Sequence, residues 1–142
     1  MSSSSAMSFQ DVVALNATAR LNVMAGFEVT AAANGAAEIV MQWSDDLSQY
    51  AGHLHAGMIA ALLDTACGFA AVTQAGAVTA SHFSMNCLRP AVGRRFVAKG
   101  VTVRTGRKQV FAKAELFSEN EQGDRILVAT GDTLLVPLDR GA

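Results

Sequence analysis

The stretch HAGMIAALLDTACGFAA, residues 55–71, decides the fold. Between Ala56 and Val72 the chain carries a single charged residue, Asp64, among alanines, leucines and other apolar side chains. A helix that is apolar on nearly every side is normally buried, so we expect this one to lie at the centre of the molecule. An ionised carboxylate in such a helix is unfavourable unless it is paired, protonated or used in chemistry. Because no basic residue lies nearby in the sequence, Asp64 is the first candidate for a catalytic group.

Strand and turn signals surround this helix, which we expect to run from about His55 to Thr73. On its N-terminal side, Ser8–Ala19 has the spacing of a short amphipathic helix, and Asn34-Gly35 is typical of a tight hairpin turn. The predicted strands are Gly26–Ala33, Ala36–Trp43, Val78–Leu88, Phe96–Arg104, Gln109–Ser118 and Arg125–Val136. One apolar helix among these strands predicts an α+β fold in which an antiparallel sheet wraps the helix.

Length and composition indicate a single, unusually apolar domain. The chain of 142 residues is expected to form one domain over residues 8–142, preceded by a disordered Ser-rich tail over residues 1–7. Only 16% of its residues are charged, against a typical share of about 25%. A small domain with so few charges has more apolar surface than its own core can absorb, which indicates an oligomer interface or an apolar ligand site.

Signals for a compartment or a metal are few. The start of the chain lacks the basic and apolar regions of a secretory signal, and Cys67 and Cys87 form no CxxC motif, which favours a reduced cytoplasmic setting. No uninterrupted apolar run approaches the ~20 residues that span a bilayer, so no membrane association is expected. The three histidines and two cysteines show no paired ligand spacing, so no metal site is expected.

The net charge of -1 hides an asymmetry along the chain. Between Thr65 and Ala114 there is no Asp or Glu, whereas eight of the eleven basic residues lie there. These are Arg89, Arg94, Arg95, Lys99, Arg104, Arg107, Lys108 and Lys113. Such a cluster favours an anionic ligand, although acids elsewhere in the fold could equally balance it. Nucleic acid is a weaker candidate, because no aromatic residues alternate with these cations in a stacking pattern.

Two segments resemble a known family. Residues 49–70, QYAGHLHAGMIAALLDTACGFA, resemble the hotdog-fold acyl-CoA thioesterases, most closely their phenylacetic-acid-pathway (PaaI-like) branch. The signature of that branch is a His-Gly/Ala-Gly step, then Leu-x-Asp, then a helix of small residues. Residues 85–91, MNCLRPA, resemble its Asn/Asp-x-Leu-x-Pro strand end. The resemblance implies a hotdog fold, in which a long central helix is wrapped by a curved antiparallel sheet. It also implies homodimers or homotetramers with the active site at the dimer interface.

The resemblance further implies catalytic roles. Asp64 would act as general base or nucleophile, in keeping with the higher basicity of a carboxylate in apolar surroundings. The backbone N–H groups of Ala56 and Gly57 would hold the oxyanion at the positive end of the helix, although the family usually has Gly in place of Ala56. Gln49 of the second subunit would orient the water or the thioester, and His55 would take part through hydrogen bonds.

Other residues are implied in substrate binding. They are His82, Ser81, Met58, Arg89, Arg94, Arg107 and Lys108. The arginines and the lysine would meet the phosphates of coenzyme A, since a guanidinium group suits phosphate geometry. Some relatives place an assisting Ser or Thr ten residues before the strand-end proline. Here that position is Ala80, and either neighbour, Thr79 or Ser81, could substitute for it.

The sequence therefore predicts an acyl-CoA thioesterase that releases a free acid and coenzyme A, with coenzyme A as part of the substrate and no separate cofactor. Two alternatives stay open. One is a protein that binds acyl-CoA without turnover, and the other is a hotdog hydratase or dehydratase of enoyl or hydroxyacyl thioesters. The absence of a His-Phe-Pro motif counts against the second. The acyl group, the choice between dimer and tetramer, and the role of Asp64 as base or nucleophile are also left open.

Overall fold

The computed structural model describes residues 5–138. Two short helices, α1 (Phe9–Thr18) and α2 (Arg20–Ala25), precede the strands β1 (Glu28–Ala33) and β2 (Ala36–Gln42). A 3-10 turn at Asp45–Leu47 leads into the long helix α3 (Ala56–Ala75). The remaining strands are β3 (Val78–Cys87), β4 (Arg95–Thr105), β5 (Val110–Glu119) and β6 (Arg125–Pro137).

All six strands belong to one antiparallel sheet in the order β1-β2-β4-β5-β6-β3. Helix α3 packs on one face of this sheet and contacts every strand of it. The predicted α+β fold, a long apolar helix held by an antiparallel sheet, is confirmed, and every predicted strand lies within two residues of its observed bounds.

Helix α3 is the centre of the core. Leu62, Leu63, Ala66 and Ala70 have no solvent exposure. The helix also lies so close to β4 that a Cβ atom at Gly100 would stand 2.3 Å from the Ala66 carbonyl oxygen. By length and composition α3 could cross a membrane, contrary to the expectation from sequence, but it is mostly buried inside this domain as its core helix.

The N-terminal segment differs from the prediction in two ways. Ser8 caps α1 through a reciprocal capping box with Asp11, so the helix begins where predicted. The chain then forms the separate helix α2, which was not predicted, after a break at the extended residue Ala19. Residues 1–4 of the expected tail lie outside the described residues. Met7, at the end of that tail, donates a backbone hydrogen bond to the Val72 carbonyl at 2.9 Å, so the chain already contacts the core there.

The predicted hairpin turn is confirmed and is joined to α3. Asn34 and Gly35 both adopt positive φ angles, 53° and 79°, as a tight two-residue hairpin requires. The Gly35 N–H then donates to the Thr73 hydroxyl at 2.8 Å, which fixes the hairpin against the last turn of α3.

Strand β3 forms one edge of the sheet and pairs only with β6 within the described chain. None of its ten residues is buried. A long, exposed edge strand presents unpaired N–H and C=O groups that can pair with a strand from another chain. The site described below borders this edge.

Candidate active site

The start of α3 leaves one backbone donor free. His55 caps the helix, and its Nδ1 accepts a hydrogen bond from the Gly57 N–H at 2.8 Å. The His55 carbonyl accepts from the N–H groups of Met58 and Ile59 at 2.9 and 3.1 Å. The Ala56 N–H has no partner among residues 5–138. Of the two predicted oxyanion donors, Gly57 is thus engaged by His55, and Ala56 is available at the positive end of the helix dipole.

This free donor borders a cleft of about 430 Å³, which we call the N-terminal cleft. Its walls are Gln49, Tyr50, His53, Leu54, His55, Ala56, Ile59, Cys87, Arg89, Pro90 and Ala91. Four of the predicted site residues, Gln49, His55, Ala56 and Arg89, therefore share one cavity. The Gln49 Oε1 accepts from the backbone N–H groups of Ala51 and His53, which holds this side chain in its loop and leaves its Nε2 donors unused within the described chain.

Asp64 lies further along α3 and opens into a different cavity, the Asp64 cleft, also of about 430 Å³. Its walls are Leu15, Ala19, Asn22, Asp64, Thr65, Gly68, Phe69, Val72, Val78, Thr79, Ala80 and Leu135. The Asp64 Oδ1 is buried without a hydrogen-bond partner among residues 5–138. Burial raises the pKa of the Asp64 carboxyl above its ordinary value, because desolvation disfavours the charged form. An unpaired carboxylate of raised basicity is suited to accept a proton.

One chain does not bring Asp64 and the Ala56 N–H together. They are eight residues apart on the same helix, which corresponds to about 12 Å along its axis. The two clefts have no lining residue in common. The predicted catalytic set is therefore divided: Gln49, His55 and Ala56 line one cleft, and Asp64 lines the other.

The other predicted binding residues are scattered. Met58 is half-buried and packs against the core. Ser81 is exposed at a β-bulge between Ala80 and His82, and it lines neither cleft. His82 lines a third cavity, on the side of the sheet away from α3, together with Arg104 and Asp132. The structure does not place Met58, Ser81 or His82 in either of the two clefts.

The predicted cluster of basic residues is divided in the fold. Arg89 lines the N-terminal cleft, whereas Arg107 and Lys108 lie in the β4–β5 turn, beside the C-terminal end of α3. The neighbouring Thr105 hydroxyl donates to Gln74 at 2.6 Å, which places that turn at the far end of the helix. Arg94 forms an exposed ion pair with Glu121 at 3.6 Å.

Two other cations of the cluster pair with acids from elsewhere in the chain. Arg95 contacts Glu119 at 2.5 Å, and Lys99 contacts Glu38 at 3.7 Å. The Arg95 and Arg125 side chains together hold the pKa of the Glu119 carboxyl below its ordinary value. Three of the eight cations, Arg94, Arg95 and Lys99, are thus paired with acids in the described chain. Arg89 is the one predicted cation that lines either of the two clefts.

Sequence reasoning missed the contribution of α1 and α2 to the Asp64 cleft. Leu15, Ala19 and Asn22 form one of its walls. The available signal was a pair of asparagines, Asn16 and Asn22, among the leucines, valines and alanines of this segment, since amides that are buried usually hydrogen-bond to one another or to the backbone.

Neither cysteine is identified as a nucleophile by its surroundings. Cys67 is fully buried, and burial raises the pKa of its thiol to about 11, so it stays protonated. Cys87 is exposed at the rim of the N-terminal cleft. Within residues 5–138, no group of three or more His, Cys, Asp or Glu side chains could hold a metal ion.

Comparison with known proteins agrees with this architecture. Residues 51–124 match the model of a family described as the thioesterase superfamily. A thioesterase family protein from Silicibacter pomeroyi is 30% identical and superposes with a TM-score of 0.88, covering 94% of this chain and 100% of its own. No curated protein matches the chain significantly.

More distant structures share the fold. The Escherichia coli PaaI protein from the phenylacetic acid degradation operon is 20% identical with a TM-score of 0.82, and the match covers 93% of this chain and 94% of that one. A thioesterase from Haemophilus influenzae is 19% identical with a TM-score of 0.77, covering 96% and 94% of the two chains. At these identities the likeness concerns the fold alone.

Proposed function

Because the chain belongs to the thioesterase superfamily, we propose that it hydrolyses an acyl-CoA thioester to a free acid and coenzyme A. The observation that carries this proposal is the half-buried carboxylate of Asp64, whose Oδ1 is buried without a hydrogen-bond partner in the described chain, on the helix whose first N–H group is also free. The first is suited to activate water, and the second to stabilise an oxyanion.

The proposed site needs two chains, because one chain holds its halves in separate clefts. The exposed β3 edge is the surface at which we place the second copy, in an isologous antiparallel strand pair. Such a pairing continues the sheet from one chain into the other and sets the two α3 helices antiparallel on the same face. The N-terminal cleft of one protomer can then meet the Asp64 cleft of its partner.

In the proposed mechanism Asp64 acts as a general base. Its carboxylate takes a proton from a water molecule as the water oxygen bonds to the thioester carbonyl carbon. The carbonyl oxygen becomes an oxyanion, which the Ala56 N–H of the other protomer and the positive end of its α3 stabilise. Collapse of the tetrahedral intermediate breaks the C–S bond, and the proton held by Asp64 passes to the departing thiolate of coenzyme A.

His55 and Gln49 have supporting roles in this proposal. By accepting from Gly57, His55 Nδ1 fixes the first turn of α3 and hence the direction of the Ala56 N–H. The unused Nε2 donors of Gln49 are available to orient the water or the thioester oxygen. Arg89, on the wall of the same cleft, is the candidate for contact with the phosphates of coenzyme A.

The test is a thiol-release assay on acyl-CoAs with aryl, short, medium and long acyl groups, run with wild type and Asp64→Asn in parallel. We expect turnover by the wild type and a loss of about 100-fold or more in the variant, the effect of removing a general base. Asp64→Asn keeps the size of the side chain and removes its basicity, so the variant should still fold. Full activity in the variant would contradict the role of Asp64. Tight binding of acyl-CoA without turnover by the wild type would instead identify a binding protein.

A further inference from the structure

The face of the sheet away from α3 has a third cavity, which we call the outer cavity. Its volume is about 510 Å³, within the range of about 300–1,000 Å³ that is usual for small-molecule sites. The side chains that line it include His82, Val103, Arg104, Phe111, Asp132 and Leu134. It shares no lining residue with the N-terminal cleft or the Asp64 cleft, so the proposed mechanism leaves it without a role.

A row of side chains across four neighbouring strands forms the floor of the outer cavity. Arg104 on β4 pairs with Phe111 on β5, and Phe111 pairs with Leu134 on β6. Leu134 pairs in turn with His82 on β3. Neighbouring strands are about 4.8 Å apart, so the row is about 14 Å long. Alternate residues of β5, such as Ala112, are buried toward α3, so Phe111 and the rest of the row face the other way.

The middle of the row is apolar and is accessible to water. Phe111 is 40% exposed, and Val103, which lies beside Arg104 at a β-bulge of β4, is 63% exposed. Leu134, between Phe111 and His82, is half-buried. Covering such side chains with an apolar ligand is favourable, because it removes their surface from water. The middle of the outer cavity therefore fits a hydrocarbon chain or ring.

The charged groups of the outer cavity determine which end of a ligand can be anionic. Arg104, at the β4 end of the row, forms no ion pair within residues 5–138. Its guanidinium lies beside the β4–β5 turn, because a Cβ atom added at Gly106 would stand 2.7 Å from the Arg104 Nη1. Asp132 lies on β6, two strands away, and would repel a negative charge there. The cavity therefore fits a ligand with one anionic end and an apolar body.

We propose that the outer cavity binds an apolar monocarboxylic acid. The carboxylate accepts hydrogen bonds from the Arg104 guanidinium, whose planar donors match it, and the hydrocarbon body lies over Phe111 and Leu134. The acid that the proposed hydrolysis releases has this chemistry, so the source of the ligand rests on the proposed function, whereas the site itself does not. A dicarboxylic acid is disfavoured, because its second carboxylate would leave water for an apolar surface next to Asp132.

The test is titration calorimetry with octanoate and 3-phenylpropanoate, in the presence of a non-hydrolysable thioether analogue of octanoyl-CoA that occupies the catalytic clefts. We expect the wild type to bind at least one of the two acids with a Kd of about 1 mM or lower. Arg104→Gln should weaken binding by about tenfold or more, the effect of losing a hydrogen-bonded charge. Lys113→Gln is the matched control, because Lys113 is an exposed cation on the same face that does not line the cavity. It should keep the affinity within about threefold, since salt screens an exposed charge at a distance.

A second variant and two dicarboxylic acids test the other parts of the cavity. Phe111→Ala removes apolar floor and should also weaken binding, and it serves in place of Arg104→Gln if that variant does not fold. Octanedioate and 3-(4-carboxyphenyl)propanoate match the two probes and carry a second carboxylate. The wild type should bind them at least about tenfold more weakly, and Asp132→Asn should narrow this difference. Equal affinity of the wild type for the members of a pair would contradict the proposed orientation.

The outcomes separate this inference from the proposed function. Failure of the wild type to bind either acid, or unchanged affinity in Arg104→Gln, would overturn the site. Binding that occurs only without the thioether analogue would place the acid in the catalytic clefts and overturn it as well. Thiol release from acyl-CoA tests the proposed function independently. Binding of the acids by a protein that hydrolyses no acyl-CoA would support the outer cavity and contradict hydrolysis, and turnover without such binding would do the reverse.

Discussion

At the scale of single residues, the first two N–H groups of α3 differ in whether they have a hydrogen-bond partner. His55 engages the Gly57 N–H, and the Ala56 N–H has no partner in the described chain. Position 56 is also the first residue of the helix, where proline is well tolerated because the N–H it lacks makes no helical hydrogen bond. The backbone of His55, at φ -61° and ψ 138°, already has the extended conformation that a following proline requires. A single substitution can therefore delete the proposed oxyanion donor without breaking the helix.

We expect Ala56→Pro to lower kcat by about 100- to 1,000-fold, the effect of losing one oxyanion donor. Its melting temperature should stay close to that of the wild type. The control is Ala56→Val, which adds comparable bulk and keeps the N–H, and it should retain most of the activity. Equal losses in the two variants would show that crowding, and not the missing donor, is responsible.

Burial of Asp64 has opposite consequences for activity and stability. The reaction needs the carboxylate, so the acid limb of the pH–rate profile should lie above the ordinary aspartate range, because the pKa is raised. The pKa of Asp64 is higher in the folded protein than in the unfolded chain, so the folded protein binds this proton more tightly. The free energy of unfolding therefore falls as the pH rises from the pKa of the unfolded chain through that of the folded protein. Asp64→Asn does not titrate and should melt at a higher temperature than the wild type near neutral pH, with the difference vanishing in acid. A difference in melting temperature that is independent of pH would contradict this account.

At the scale of elements, α3 was predicted from its long apolar run with a single charged residue, and the strands were predicted from shorter apolar runs with clear turn residues at their ends. The Asn34-Gly35 turn could be predicted because only a few residue types accept two positive φ angles. Helix α2 was missed because its six residues, RLNVMA, are too few to show a period. For the same reason the wall that Leu15, Ala19 and Asn22 give to the Asp64 cleft was not predicted.

The contact between α3 and β4 gives a matched pair of glycine substitutions. At Gly100 a methyl group would collide with the backbone of Ala66, which cannot move without displacing α3 from the sheet. Gly100→Ala should therefore lower the free energy of unfolding by about 2–3 kcal/mol, at the upper end for overpacking. At Gly68, on α3 itself, nothing lies within 4 Å of the added carbon. Gly68→Ala should raise the free energy of unfolding by about 0.5–1 kcal/mol, because alanine favours helix over glycine.

Denaturant unfolding at a fixed protein concentration measures both variants, since the stability of an oligomer depends on concentration. If Gly100→Ala were as stable as the wild type, α3 could not lie as close to β4 as described. The sequence alone could not indicate this difference, because both glycines lie in apolar stretches and only their neighbours in space distinguish them.

At the scale of the whole molecule, the separation of the two clefts explains why only part of the site could be predicted. The candidate catalytic residues and the central helix could be predicted from the sequence. Gln49, His55, Ala56 and Arg89 do share a cavity. Asp64 lies in another cavity, and the cations of the basic cluster are split between the two ends of α3. Which of these groups meet depends on the docking of a second copy, and neither local spacing nor the fold of one chain determines that arrangement.

Two variants that are each inactive can test whether the site combines Asp64 of one protomer with Ala56 of the other. In a mixed dimer of Asp64→Asn and Ala56→Pro, one site would receive both intact groups and the other site neither. Random pairing of equal amounts should therefore restore about a quarter of wild-type activity after subunit exchange. In the reciprocal mixture, wild type with a chain that carries both substitutions, mixed dimers should be inactive, and activity should fall to the same level of about a quarter. A site contained within one chain would give no recovery in the first mixture and about half of wild-type activity in the second.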